Sequence, residues 1–353
     1  IVYAKSSVPG LVDGQCWGDY LYWNPTSVPP SWKVGSPKIH LGCNAGASSQ
    51  GPEAVAIGNE AGRTNQGIET VAIGNAAGNF NQSDYAVAIG SEAGRTNQGI
   101  ESVALGFRSG YSGQDAKAVA IGSYAGASSQ GTAAVAIGSE AGRTNQGIES
   151  VALGFRSGYS GQGNTAVAIG AEAGYQVQGQ MSVAIGTYAG NLNQGTESIA
   201  AGPFSGYSGQ GPNSVVIGSY AGYLNQGQYS VAVGASAGNF NQGTGSVAIG
   251  HEAGYTGQTQ ASVAIGNLAG VQNQNTGAVA VGAGAGNLRQ GQYAIAIGYV
   301  VAYYDQGQYA VAIGTQAGQT NQGQHAVAIG SNAGEQNQGI GSVAIGNEAG
   351  RAN

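Results

Sequence analysis

The stretch VAIGNEAGRTNQGIET at residues 55–70 is one complete unit of a repeat that fills most of the chain. The Gly that ends Val-Ala-Ile-Gly, Gly58 in this unit, recurs every 16 residues from Gly42 to Gly346, twenty times without an insertion or deletion. We number each unit from this Gly as position 0. A fixed period of this length predicts a solenoid in which every unit forms one coil.

Three further positions of the unit are nearly constant. A second Gly lies at +4 in every unit except at Ala302, a third Gly lies at +9 in most units, and Gln occupies +8 in all nineteen units that reach it. Gly adopts backbone conformations that are closed to other residues, so we expect these glycines to form sharp turns. In the first units the predicted turn glycines are Gly58, Gly62, Gly67, Gly74 and Gly78.

The segment Val-Ala-Ile has β-branched residues at −3 and −1, which is the period-2 pattern of a short strand. Sixteen residues at about 3.3 Å each can close one circuit of two short strands, and successive circuits then stack in parallel about 4.8 Å apart. The sequence therefore predicts an all-β fold, a parallel β-solenoid or β-roll of about twenty 16-residue coils over residues 39–353. A small irregular N-terminal module occupies residues 1–38.

The two faces of the short strand carry side chains of different size. We expect the larger ones, at −3 and −1, to form the core of the coil. Ala at −2, as in Ala56, then lies on the second face, where water would normally favour charged residues. A face of small residues indicates close packing against identical neighbours, which predicts a homotrimer or another side-by-side oligomer. The predicted core residues are Val55, Ile57, Val71, Ile73, Val87 and Ile89.

The Gln column at +8 is the most uniform polar feature of the chain. A stacked amide can donate to one neighbouring coil and accept from the other, as in cross-β assemblies. An unpaired buried amide is costly, so we expect this ladder to face inward or toward the trimer axis. Its first eight members are Gln50, Gln66, Gln82, Gln98, Gln114, Gln130, Gln146 and Gln162.

Composition argues against several classes of function. Of the 353 residues 66 are Gly and only 8% are charged, and 11 Lys and Arg in a chain of net charge −6 do not form a nucleic-acid surface. The apolar runs are far shorter than the roughly 20 residues of a membrane helix, so no membrane insertion is expected. His40, His251 and His325 lie in distant units, which predicts no metal site, and no cofactor motif is present. The Gly-x-Ser-x-Gly pattern at residues 234–238 is only the repeat frame, so we expect no enzyme and no catalytic residue.

Residues 1–38 differ from the repeat, because they contain all three Trp of the chain and several Pro. One interpretation is a cap that covers the edge of the first coil, with a possible disulfide between Cys16 and Cys43. The other is a docking module for the end of another subunit, which would build a head-to-tail filament. The aromatic residues of this possible docking module are Trp17, Tyr20, Tyr22, Trp23 and Trp32.

The motif Ser-Val-Ala-Ile-Gly, seen at residues 182–186 and 342–346 and followed by Ala-Gly, resembles the head repeat of the trimeric autotransporter adhesins. That YadA-like repeat forms a left-handed parallel β-roll, and similar repeats occur in viral fibre proteins. The resemblance covers about residues 39–353, and it implies a trimer with a surface-exposed adhesive or fibrous role. The present unit is slightly longer and adds the constant Gln, so we expect a virion fibre or another extracellular appendage.

These observations favour a structural subunit of an extracellular or virion-surface fibre or filament, possibly adhesive, whose main partner is itself. The alternative is a head module that binds a host receptor or a glycan, for which scattered aromatic residues such as Tyr229 at +11 and Tyr223 at +5 offer a surface. Ice binding is a distant third possibility, because position +6 mixes Thr64 with Phe80 and Leu192 and is therefore not a regular array.

Overall fold

The computed structural model describes residues 20–24, 27–35 and 38–351, apart from the side chain of Tyr22. The chain divides into two compact units, residues 1–129 and residues 130–353. Every regular element of the described residues is a β-strand. Because much of the segment before residue 38 lies outside the described residues, the predicted division at residues 38 and 39 stays a prediction.

The first unit begins with a hairpin that lies outside the repeat. Strand β1 (Leu21–Asn24) pairs antiparallel with β2 (Ser31–Val34), and Trp23 lies opposite Trp32. The hairpin is tied to the first coil because the Tyr20 hydroxyl donates to the Lys38 carbonyl at 2.7 Å. Aromatic and β-branched residues thus form the only antiparallel pair in the described part of this unit.

Nearly every coil contributes two three-residue strands, a first strand at −3 to −1 and a second strand at +6 to +8. In the first unit the first strands are Ile39–Leu41, Val55–Ile57, Val71–Ile73, Val87–Ile89, Val103–Leu105 and Val119–Ile121. The second strands are Ser48–Gln50, Thr64–Gln66, Phe80–Gln82, Thr96–Gln98 and Ser112–Gln114, and Ser128–Gln130 follows at the boundary between the units.

The second unit repeats the same coil. Its first strands are Val135–Ile137, Val151–Leu153, Val167–Ile169, Val183–Ile185, Ile199–Ala201, Val215–Ile217, Val231–Val233, Val247–Ile249, Val263–Ile265, Val279–Val281, Ile295–Ile297, Val311–Ile313, Val327–Ile329 and Val343–Ile345. Its second strands are Thr144–Gln146, Ser160–Gln162, Gln176–Gln178, Leu192–Gln194, Ser208–Gln210, Leu224–Gln226, Phe240–Gln242, Gln272–Gln274, Leu288–Gln290, Tyr304–Gln306 and Thr320–Gln322. Two coils have only isolated bridges in place of the second strand, at Thr256 and Gln336.

Neighbouring coils pair in parallel and in register, each residue opposite the residue 16 positions along. Val55 lies opposite Val71, for example, and Gln66 lies opposite Gln82. The turns join the same ladder, since the Gly62 amide donates to the Ala77 carbonyl of the next coil at 2.9 Å. The predicted fold, an all-β parallel solenoid of 16-residue coils, is confirmed.

The core of each coil is built from small residues and Gln. Ala54, Ala56 and Ala61, at −4, −2 and +3, are fully buried, and Gln66 is 2% exposed. The prediction that the aliphatic side chains at −3 and −1 form the core is therefore wrong, because they project outward from the coil. Those side chains, half-buried or exposed, belong to Val55, Ile57, Val71, Ile73, Val87 and Ile89.

The physical reason for this reversal is the width of the coil. The two strands lie so close together that the Gln side chain from one reaches the backbone of the other, as Gln66 Nε2 does at 2.9 Å from the Val55 carbonyl oxygen. Beside that side chain nearly all interior positions carry Ala, Ser or Thr, and Val216 and Val301 are the only larger aliphatic side chains buried among the described residues. Close-packed interiors do not admit extra methylenes without strain. The pleat then places the neighbouring Val and Ile side chains on the outer face.

Two glycine positions have the turn role that the sequence predicts. Gly58 at position 0 has φ +128°, and a Cβ there would lie 2.5 Å from the Gly74 carbonyl oxygen of the next coil. Gly62 at +4 has φ +51°, and its Cβ would lie 2.6 Å from Gln66 Oε1. Gly74 and Gly78 repeat the two arrangements one coil later, with φ +129° and +50°. Conformation and space both disfavour a side chain at these positions, and Ala302 at +4 is the one departure from Gly.

The third glycine position differs from the prediction. Gly67 at +9 does not adopt a positive φ, and Gly is needed there because a Cβ would lie 2.6 Å from the Asp84 amide nitrogen. In this coil the other left-handed residues are not glycines, since Glu60 at +2, Asn65 at +7 and Glu69 at +11 have φ between +52° and +57°. Each coil therefore turns at more places than its glycines mark.

We predict that Ala302→Gly stabilises the protein by about 1 kcal/mol. Ala302 occupies +4, is fully buried and has φ +42°, a conformation that costs an L-residue free energy and costs Gly almost none. Urea denaturation followed by circular dichroism measures the change. The matched control is Ala317→Gly at +3, where the native residue is fully buried and has no positive φ. This substitution should lower the free energy of unfolding by about 0.5 to 1 kcal/mol or more, since that is the cost of Gly in a regular element. A lower midpoint for Ala302→Gly would contradict the assignment.

Candidate functional site

The outward side chains at −3 and −1 form a continuous apolar surface along each of the two compact units, which we call the aliphatic face. All residues in these two columns, from Ile39 and Leu41 to Val343 and Ile345, are Val, Ile or Leu except Ala201. Ile185 and Ile217 are each 43% exposed. A sheet face that meets water normally carries polar residues, and extended apolar patches mark interaction sites. The aliphatic face therefore has the character of an interface.

The Gln column lies inside the coil and braces it. Gln242 Nε2 donates to the Val231 carbonyl of the first strand at 2.8 Å and to the Ser246 carbonyl at 3.2 Å. One amide thus joins the second strand of a coil to its first strand and to its last residue, at +12. All eight Gln side chains of the predicted ladder, from Gln50 to Gln162, are buried in this way.

Direct bonds between neighbouring Gln side chains occur in some coils. Gln226 Nε2 donates to Gln242 Oε1 at 2.8 Å, and Gln66 Nε2 donates to Gln82 Oε1 at 3.3 Å. Elsewhere the two amide hydrogens go to backbone carbonyls of the same coil, as with Gln82 and the carbonyls of Val71 and Ala86. The column is therefore chiefly a cross-brace within each coil, and an amide ladder between coils only in part.

The possible docking residues before residue 38 are only partly described. Trp23 and Trp32 form an edge-to-face pair with ring centroids 5.7 Å apart, and they are 50% and 44% exposed. Tyr20 instead packs on the first coil, where its hydroxyl also accepts from the His40 amide at 3.2 Å. The side chains of Trp17 and Tyr22 lie outside the described residues.

The possible disulfide stays a prediction. Cys43 is an exposed free cysteine at +1 of the first coil, and Cys16 lies outside the described residues.

An aromatic cluster in the second compact unit, residues 130–353, was only partly anticipated from the sequence. Its +5 and +6 members belong to positions that the sequence analysis considered, but its +2 column was missed. The signal was available, since Tyr188, Phe204 and Tyr220 are spaced 16 residues apart, and their rings stack with centroids 5.0 and 4.9 Å apart. The cluster comprises Tyr188, Phe204, Tyr207, Tyr220, Tyr223, Phe240 and Tyr255, linked by ring contacts of 4.9 to 6.3 Å.

Charged side chains pair with one another on the turn between the two strands. Glu92 at +2 accepts from Arg95 at 3.1 Å and from Arg108 of the next coil at 3.2 Å. The hydrogen bond that Arg108 donates to the Glu92 carboxylate raises the pKa of Arg108 above its ordinary value. Pairs of this kind are exposed to solvent and contribute little to stability, so they support the coil without marking a site.

Titratable residues do not gather into a ligand set in the described part of the chain. No group of three or more His, Cys, Asp or Glu that could hold a metal ion occurs there. His40 contacts Tyr20 with ring centroids 6.1 Å apart, His251 lies 3.8 Å from the Glu252 carboxylate, and His325 stacks on Tyr309 at 5.1 Å.

In the part of the chain that the structure describes, no helix has the length and hydrophobicity of a membrane-spanning segment.

Comparison with known proteins gives no family: no protein-family model matches the chain, and no curated protein matches it.

We predict that Gln242→Met lowers the free energy of unfolding by about 1 to 3 kcal/mol. Met fills a similar volume but leaves the Val231 and Ser246 carbonyls without their amide donor in the interior. The control is Gln228→Met at the exposed position +10, which should change stability by less than about 0.5 kcal/mol. Equal midpoints for the two variants in urea denaturation would show that the Gln column does not brace the coil.

Proposed function

We propose that the chain is a structural subunit of an extracellular or virion-surface fibre or filament, and that it assembles laterally with copies of itself. The observation that carries this proposal is the aliphatic face, an outward surface of two columns with no polar residue from Ile39 to Ile345. Burying such a surface gains about 25 cal/mol per Å² of apolar area removed from water. A second copy offers an identical surface of the same period.

A homotrimer is the assembly that we propose, in the arrangement that the YadA-like resemblance implies. Copies aligned in register bring each coil against the same coil of its neighbour, so that the outward Val and Ile side chains meet around one axis. Such a closed arrangement leaves no aliphatic face exposed. The outward Val and Ile side chains cannot be buried in the interior of their own coil, because Ala56, Ala61 and Gln66 already fill it.

Two further parts of the proposal have separate support. A head-to-tail contact, which would turn trimers into filaments, has a candidate surface in the exposed pair Trp23 and Trp32, because aromatic residues are frequent binding anchors. We propose no catalytic role, since the one uniform polar column, the Gln at +8, is committed to hydrogen bonds inside the coil.

The second candidate function is a head module that binds a host receptor or a glycan. The aromatic cluster favours it, because Tyr188, Tyr207 and Tyr220 gather in a stretch that is almost free of charge: Glu197 is the only charged residue between residues 173 and 250. Tyr combines a large contact area with a polar tip and is therefore common at binding surfaces. This role is compatible with the fibre, of which it would be the adhesive part.

We predict that Ile185→Lys combined with Ile217→Lys converts the trimer to a monomer. Both side chains project from the coil, so the charge should not disturb the fold of one chain but should oppose burial of the aliphatic face. Sedimentation velocity should give about three times the 34.8 kDa chain mass for the native protein and the chain mass for the variant. Circular dichroism should show the same β content in both.

The control pair is Asn193→Lys with Asn225→Lys, two exposed positions at +7 on the second strand, where Arg289 shows that a long cation is tolerated. The control should remain trimeric. A native chain that is folded and monomeric at micromolar concentration, or a double Lys variant that remains trimeric, would contradict lateral assembly through the aliphatic face.

A further inference from the structure

The aromatic cluster contains a stack of three rings that ends abruptly. Tyr188, Phe204 and Tyr220 occupy +2 in three successive coils, and their planes are within 16° and 5° of parallel. Phe204 covers one face of the Tyr220 ring. The next residue in the column is Ser236, which is too small to cover the other face, and Tyr220 is 44% exposed.

The neighbouring column has a gap in the same coil, and that gap is filled. At +5 Tyr223 is followed by Asn239, which is buried and donates to the Tyr220 carbonyl at 2.7 Å. Phe240 takes the vacant place, with its ring 6.2 Å from Tyr223 and nearly perpendicular to it. The gap in the +2 column has no such substitute, because Ser236 is followed by the small and buried Ala237 and Gly238.

The open gap, which we call the Ser236 slot, has the thickness of one ring. One coil step separates Phe204 from Tyr220, and that step of 4.9 Å between centroids holds two rings in contact. The next side chain beyond Ser236 in the column is Glu252, a further coil away. A flat ring can therefore lie on Tyr220, above Ser236, with the Glu252 carboxylate on its other side.

The chemistry of the slot favours a neutral sugar ring. A pyranose presents a face of C–H groups to an aromatic ring and hydroxyl donors at its edge, and binding sites combine one apolar wall with a few polar groups in this manner. The Glu252 carboxylate and the Ser236 hydroxyl can accept hydrogen bonds from the sugar hydroxyls, and the Glu252 side chain is 39% exposed. An anionic ligand would meet the Glu252 carboxylate, which lies 3.8 Å from the His251 ring, and no Lys or Arg occurs between residues 173 and 250 to offset that charge.

We propose that the Ser236 slot binds a terminal pyranose of a neutral glycan, of the galactoside type, with its C–H face stacked on Tyr220. A galactoside is the best probe because its axial hydroxyl leaves the hydrogens at carbons 3, 4 and 5 together on one face. The inference rests on the adhesive part of the proposed function and is independent of lateral assembly. One ring stacked on one Tyr should bind with a dissociation constant of about 1 to 10 mM.

The experiment uses the full chain and methyl β-D-galactopyranoside as the probe. Saturation-transfer difference NMR should show the strongest transfer to the hydrogens at carbons 3, 4 and 5, and a titration gives the dissociation constant. The deciding variant is Ser236→Tyr, which fills the slot with a fourth ring. This variant should fold, because Ser236 and Tyr220 have the same backbone conformation, with φ +56° and +55°.

We expect at least tenfold weaker galactoside binding for Ser236→Tyr and for Tyr220→Ala. Binding should be unchanged for Tyr229→Ala, a control at an exposed Tyr in the +11 column. The proposal would be overturned if the native chain does not bind the galactoside, or if the native protein and Ser236→Tyr bind it equally well. It would also be overturned if the native chain binds choline and not the galactoside, because a quaternary ammonium group can stack on Tyr220 beside the Glu252 carboxylate. The mass measured by sedimentation on the same samples separates the two proposals: a trimer that does not bind contradicts only the slot, and a monomer that binds contradicts only lateral assembly.

Discussion

The hydrogen bonds of the Gln side chain at +8 set the dimensions of every coil. In the coil of Gln242 one amide spans the interior and donates to the carbonyls of Val231 and Ser246, so the two strands are held one side chain apart. That distance leaves room for Ala at −2 and +3 and for small residues at −4. It also requires Gly at +4, because a Cβ on Gly238 would lie 2.6 Å from Gln242 Oε1. Gln, Ala and Gly in each unit are thus consequences of a single geometric constraint.

A narrow interior determines what the outside must be. Val and Ile supply much of the hydrophobic free energy of other proteins, but here they project from the first strand, and only Val216 and Val301 are buried inside among the described residues. Stability within a chain then depends on the backbone ladder between coils and on the Gln brace, while the apolar area remains available for other chains. This division explains why a chain with only 8% charged residues has a surface of extended aliphatic columns. It also links the interior of the coil to the proposed assembly.

The period, the strands and the stacking could be predicted from the sequence, because a strict repeat of Val-Ala-Ile-Gly leaves little choice of fold. Alternation in Val55, Ala56 and Ile57 identifies two faces but does not say which one is inside. By analogy with ordinary protein cores, the larger side chains were expected inside. In the structure the Gln66 side chain occupies the interior instead, so Val55 and Ile57 lie on the outer face. Gly67 was grouped with the turn glycines although close approach of the next coil, not a positive φ, requires it. The stacked +2 column of Tyr188, Phe204 and Tyr220 was missed because most other repeats carry charged or small residues at the same position.

Exchange of the Gln side-chain amide hydrogens with deuterated water, followed by NMR, tests the central claim most directly. Gln amides at +8, such as Gln210 and Gln242, donate to buried carbonyls and should exchange as slowly as the backbone amides of the strands. Gln amides at +10, such as that of the exposed Gln228, should exchange within the dead time of the experiment. Rapid exchange of the +8 amides, at the rate of Gln228, would contradict a coil braced from within by Gln.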